Sequence, residues 1–100
     1  MDVTERFLKY VSYDTRSDEH AECFPSTPGQ RVLGQALAEE MKALGLADVR
    51  MDENGYVFGW LPATPGYENR PVLGFLAHMD TSPDVSGAGV RPQTVTYEGG

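Results

Sequence analysis

The chain has 100 residues, with 15 acidic against 8 basic side chains and a formal charge of −7. That length admits one small domain, 40% hydrophobic and 23% charged usage excludes disorder and collagen-like repeats, and the acidic surplus argues against nucleic acid or an anionic membrane as partner. No apolar run approaches the ~20 residues of a membrane span, residues 1–6 lack the pattern of a signal peptide, and the lone Cys23 has no disulfide partner, which predicts a cytoplasmic location.

Residues 4–13 predict a helix with Phe7, Leu8 and Val11 on one face, Glu5, Arg6 and Lys9 off it, and Asp2 or Thr4 as its cap. Residues 14–24 (D-T-R-S-D-E-H-A-E-C-F) lose that periodicity and read as a loop of functional or mobile character. Thr27, Pro28 and Gln30 then match a capping box with proline at the first helical position, so both orphan donors are expected to be answered by side chains. The helix they start carries Leu33, Leu37, Met41 and Leu44 on one stripe with Ala36 beside it. Gly45 is placed to end it in the left-handed conformation, with Leu46 packing back.

Residues 49–52 and 56–61 flank Glu53-Asn54-Gly55 and predict a β-hairpin, with Tyr56, Phe58 and Trp60 alternating onto one sheet face. Pro62 stops the second strand and opens a proline- and glycine-marked loop through residue 71. Residues 72–77 (V-L-G-F-L-A) form a continuous apolar run, the pattern of a strand buried on both faces of an α/β sheet. The remainder is mostly loop, with a short strand expected at residues 93–97.

Chemistry is expected just past that apolar run, where open α/β sheets bind their ligands. His78 there offers an imidazole nitrogen to a metal, and Asp80 two residues on is placed to hydrogen-bond the other ring nitrogen and fix its tautomer. The same residues also fit a strand end followed by a turn capped by Asp80, Thr81 and Ser82. His20 and Cys23 have the spacing of two zinc ligands but no second pair to complete a tetrahedral site. A solvated acidic loop with a free thiol is the competing account. No phosphate-binding glycine loop and no nucleophile-elbow serine occurs.

The run His78-Met79-Asp80-Thr81-Ser82-Pro83-Asp84 resembles the M20 family of dinuclear zinc peptidases, and within it the aminotripeptidase branch. Glu5-Arg6-Phe7-Leu8, Tyr10-Val11-Ser12, Pro25-Ser26-Thr27 followed by Gly29-Gln30, and Gly74-Phe75 follow the same pattern in order and spacing, so the resemblance covers essentially the whole chain. It implies an α/β fold, with residues 1–100 as the N-terminal part of a three-layer α/β/α catalytic domain comprising two helices, a β-hairpin and a buried strand. It implies His78 as a zinc ligand and Asp80 as the active-site carboxylate beside it. Two zinc ions would be held by the parent enzyme, with the remaining ligands and the general base downstream in the parent chain.

The implied reaction is zinc-assisted release of the N-terminal residue of a tripeptide. The expected partners are a small peptide substrate and the rest of the parent chain, and these residues alone are expected to be inactive. Another M20 hydrolase, acting on dipeptides or N-acyl amino acids, is the enzymatic alternative. A non-catalytic folding or interaction piece is the alternative of another class.

Overall fold

A reciprocal cap fixes the start of the chain. In a computed structural model, which describes residues 1–100, helix α1 spans Val3–Tyr10. The Glu5 amide donates to Asp2 Oδ1 at 2.8 Å and the Asp2 amide donates to Glu5 Oε2 at 2.7 Å, which answers two of the helix's orphan donors. Asp2, rather than Thr4, is therefore the cap. The helix faces its neighbour differently from its apolar pattern. Phe7 and Leu8 are exposed, and Arg6 and Lys9 instead reach the Glu40 carboxylate on the next helix. Charge pairing, not burial of the Phe7–Leu8 face, ties α1 down.

Helix α2 spans Pro28–Ala43. Thr27 occupies its N-cap position, but the side chain makes no cap hydrogen bond, and the expected capping box does not form. Thr27 Oγ1 donates instead to the Arg16 carbonyl at 2.8 Å, and Gln30 Nε2 donates to Ser26 Oγ at 3.0 Å and to the Thr15 carbonyl at 3.4 Å. Both side chains are drawn away from the helix end by a segment more than ten residues earlier in sequence. The far end follows its pattern: Gly45 has φ 87°, its amide donates to the Lys42 carbonyl, and the Leu46 amide donates to the Met41 carbonyl. That pair of bonds is the Schellman closure.

The chain then forms an antiparallel hairpin, β1 over Ala47–Met51 and β2 over Val57–Trp60. Asp52 closes its turn, its Oδ1 accepting from the Asn54 and Tyr56 amides at 2.9 Å each, while Gly55 takes the left-handed conformation the turn requires. Ala47 pairs with Trp60 and Arg50 with Phe58, so β1 carries one extra residue between those partners. Asp48, at φ 50°, sits in this bulge, and aspartate tolerates that conformation better than most residues.

Helix α2 packs on one face of the hairpin. A Cβ on Gly34 would lie 2.9 Å from Met51 Sδ and 3.3 Å from Val57 Cγ2, and one on Gly59 would lie 3.0 Å from Met41 Sδ, so both glycines permit close approach of helix and sheet. Leu33 and Ala38 are the buried hydrophobic residues beneath them, within a stripe that also takes in Gln30 and Gly34. On the opposite face Tyr56 and Phe58 meet ring to ring, with centroids 6.4 Å apart, and the Arg50 guanidinium lies over Phe58. Tyr56, Phe58 and Trp60 share that face as their alternation predicts, and it is exposed.

Residues 72–77 correct one expectation. They pair with no strand, and Leu73, Phe75 and Leu76 are 77%, 89% and 97% exposed. The hairpin is the sole sheet and does not reach them, so no neighbouring ladder is present to bury the run. Residues 93–97 likewise form no strand. The accessible surface of 8346 Å² exceeds the roughly 5,600 Å² of a compact chain of this size. The radius of gyration, 16.5 Å, exceeds the roughly 13 Å expected of 100 close-packed residues. The two helices and hairpin make a small α/β arrangement, and no further helix or strand follows Trp60.

Candidate functional site

The strongest tertiary link outside the α2–hairpin core joins residues 15–17 to residues 81–83. The Thr81 amide donates to the Thr15 carbonyl at 3.1 Å, and the Ser17 amide returns to the Thr81 carbonyl at 3.0 Å, a one-bridge parallel pairing of Arg16 with Thr81. Ser17 Oγ adds a second bond to the Thr81 carbonyl at 2.9 Å, and Arg16 Nε donates to the Pro83 carbonyl at 2.7 Å. Four hydrogen-bonding groups of a segment expected to be loose thus grip the turn that follows His78. Thr15 is 3% exposed, the deepest polar residue of the chain together with Gln30 at 6%.

Helix α2 holds the grip from behind. Thr27 and Gln30 reach the Arg16 and Thr15 carbonyls, and Ser26 Oγ accepts from the Asp18 amide at 3.1 Å. Gly29 is required by proximity, because a Cβ there would overlap the Asp14 carbonyl oxygen. Gly87 presses on the same residue from the other side, where a Cβ would lie 2.7 Å from Asp14 Oδ1. The motif Ser26-Thr27-Pro28-Gly29-Gln30 therefore has a physical task beyond starting a helix. Its signal in the sequence was ambiguous, since Thr27, Pro28 and Gln30 also satisfy a capping pattern.

His78 stands at the front of this clamp. Its Nδ1 lies 2.8 Å from the Asp80 carbonyl oxygen and 3.1 Å from Asp80 Oδ1. Both neighbours are acceptors, so the neutral ring places its proton on Nδ1 and its lone pair on Nε2, the tautomer that binds a metal through Nε2. The ring is 83% exposed and the Asp80 side chain 52%, leaving Nε2 open to whatever approaches. No group of three His, Cys, Asp or Glu side chains gathers to hold a metal ion. The hundred residues alone therefore do not fit a complete zinc site, which takes three protein ligands.

His20 and Cys23 are not brought together with His78. The His20 amide is capped by Asp18 Oδ1 at 2.9 Å, its ring faces Glu19 from 3.7 Å, and Cys23 is an exposed free thiol. That loop is a solvated surface with local caps. A cleft of about 740 Å³ opens between it and the start of α2, walled by Asp14, Arg16, Asp18, Thr27 and Pro83 among others. It carries no hydrophobic lining residue, unlike the largely apolar pockets that hold small ligands, and it does not include His78.

The curated relatives of this chain carry one name. Peptidase T of Parabacteroides distasonis is 53% identical over 100 residues, all of this chain. Peptidase T of Clostridium acetobutylicum is 54% identical over 99 residues, and that of Vibrio parahaemolyticus 50% identical over 99, each covering 98% of the chain. By sequence, this chain resembles peptidase T over its whole length. It spans about a quarter, 24%, of the length of these relatives. No family model matches the chain. No helix is long and apolar enough to cross a membrane.

Proposed function

We propose that these residues are the N-terminal part of the catalytic domain of a cytoplasmic aminotripeptidase of the M20 type, which hydrolyses the N-terminal residue from tripeptides. The observation that supports the reading is the His78–Asp80 contact, which lies within a sequence resembling peptidase T throughout. In this reading His78 Nε2 is one zinc ligand, and the other ligands and the general base come from the remainder of the protein. Two zinc ions, when bound, supply Lewis acidity at the scissile carbonyl and lower the pKa of water.

The chain's own contribution is orientation. Asp80 keeps the proton on Nδ1 and the ring in one rotamer, and an outer partner of this kind also raises the basicity of the ligand nitrogen. The pairing of Thr81 with Thr15 and Ser17 prevents the turn from carrying that imidazole away. One imidazole does not make a site, so the 100 residues by themselves are inactive.

The test is substrate assay of the full-length protein. Release of the first residue from tripeptides, lost on chelation and restored by zinc, is the expected result. Cleavage of N-acyl amino acids or dipeptides with tripeptides untouched would move the assignment to another M20 hydrolase. Calorimetric titration of the isolated 100 residues with zinc should show no tight stoichiometric binding. A tight one-to-one isotherm would contradict the single-ligand reading.

A further inference from the structure

The N-terminal end of α2 has an unusual allocation of its hydroxyl. Thr27 sits where a threonine normally accepts from a helix amide, yet it makes no such bond and donates to the Arg16 carbonyl at 2.8 Å. Gln30, 6% exposed, makes a parallel choice and donates to the Thr15 carbonyl. Those two carbonyls belong to the two peptide units that pair with Thr81, and the Thr15 carbonyl is the same atom that accepts from the Thr81 amide at 3.1 Å. A continuous relay thus runs from α2 through residues 15–17 to the turn that carries His78 and Asp80.

We propose that Thr27 and Gln30 are positioning residues, which hold the Thr15–Ser17 segment in register with Thr81 and thereby set the geometry of the His78–Asp80 pair. The inference rests on the peptidase reading only for its effect on turnover; the register itself is a property of this chain. Neither side chain touches His78 or Asp80, so the action is through backbone carbonyls. Removing either donor takes a restraint from the segment: the exposed Arg16 carbonyl is left to water, and the buried Thr15 carbonyl keeps only the Thr81 amide. Dropping a cap cannot explain such a loss here, since Thr27 gives α2 no side-chain cap.

The experiment compares Thr27→Val, Thr27→Ser and Gln30→Met in the full-length protein. Valine keeps the shape of threonine and removes the donor, whereas serine keeps the donor. Thr27→Val and Gln30→Met should speed amide exchange at Thr81 and Ser17 about fivefold or more, with α2 amides unchanged. They should lower kcat about tenfold at nearly constant KM and weaken zinc binding to a similar degree. Thr27→Ser should restore all three readouts.

Unchanged exchange at Thr81 in both donor-free variants would overturn the proposal. So would a Thr27→Ser variant as impaired as Thr27→Val, which would indicate that methyl packing matters rather than the hydroxyl. Faster exchange at Thr81 in a protein whose wild type cleaves no peptide would uphold the relay and refute the peptidase reading.

Discussion

A side chain on Gly29 would occupy the space of the Asp14 carbonyl oxygen, so the first turn of α2 and the loop after α1 lie backbone against backbone. Gly29→Ala must therefore displace residues 14–17, and the flexible end of a side chain is not available to yield. The expected cost is about 1–3 kcal/mol of stability, the usual range for forcing atoms into filled space. Denaturant unfolding of the full-length protein measures it. A stabilised Gly29→Ala variant would show that the contact is far looser than described.

Gly34 gives the opposite balance. Alanine gains about 1 kcal/mol over glycine within a helix, and its Cβ would meet Met51 Sδ at 2.9 Å and Val57 Cγ2 at 3.3 Å. The Met51 thioether is the end of an adaptable side chain and can move aside. Gly34→Ala should therefore fall within about 1 kcal/mol of wild type, while Gly34→Leu should cost about 1–3 kcal/mol by separating α2 from the hairpin. Parallel unfolding curves for the two variants would check the contrast. Equal behaviour of alanine and leucine would mean that Gly34 is not a contact point.

The attachment of α1 should depend on pH. Hydrogen bonding from Arg6, then from Lys9 and Tyr10, holds the Glu40 carboxyl below its ordinary value of 4.5, although partial burial opposes the shift. Burial, followed by the Glu40 carboxylate, pushes the Tyr10 hydroxyl above its ordinary 10.0. A lowered carboxyl stabilises the fold fully above its unfolded value, and that contribution disappears as pH falls through the lower folded value. Exchange of α1 amides should thus show constant protection from neutral pH to near 4.5 and increasing loss below it, with Glu40→Gln removing the dependence. Loss of protection above pH 6 would contradict this account.

Local signals were legible in the sequence and non-local ones were not. Gly45 ends α2 and Asp52 with Gly55 closes the hairpin because each motif is complete within about six residues, so no distant partner is needed. Thr27 and Gln30 were misread for the converse reason: a capping pattern is indistinguishable in sequence from a pair of donors meant for Thr15 and Arg16. The same holds for α1, where Glu40, thirty-four residues from Arg6, decides which face is engaged. The His78–Asp80 contact was legible because it spans only two residues. The clamp behind them, which joins residues 15–17 to residue 81, left no periodic trace.

Asp80 offers a direct check on the site. Asp80→Ala removes the Oδ1 acceptor 3.1 Å from His78 Nδ1 but leaves the backbone carbonyl at 2.8 Å. The ring keeps one of two restraints, so the loss in zinc affinity and turnover of the full-length protein should be about 10–100-fold rather than complete. Asp80→Asn should be intermediate, since its amide oxygen accepts the same proton without the charge. Unchanged kinetics and metal affinity in Asp80→Ala would favour the plain turn reading of this residue.

Residues 72–77 should dominate the solution behaviour of the isolated chain. Val72, Leu73, Phe75 and Leu76 are each at least 75% exposed, and the backbone between them makes no ladder. Extended apolar backbone with unpaired amides is a template for another strand, and burying even two such side chains between copies stabilises association by about 3–6 kcal/mol. The formal charge of −7 opposes approach, so salt should promote association by screening it. Size-exclusion chromatography should therefore show an apparent mass that rises with both protein and salt concentration, and Phe75→Lys with Leu76→Lys should return the chain to a monomer. A monomer at every concentration and ionic strength would show that this run is held apart by something other than charge.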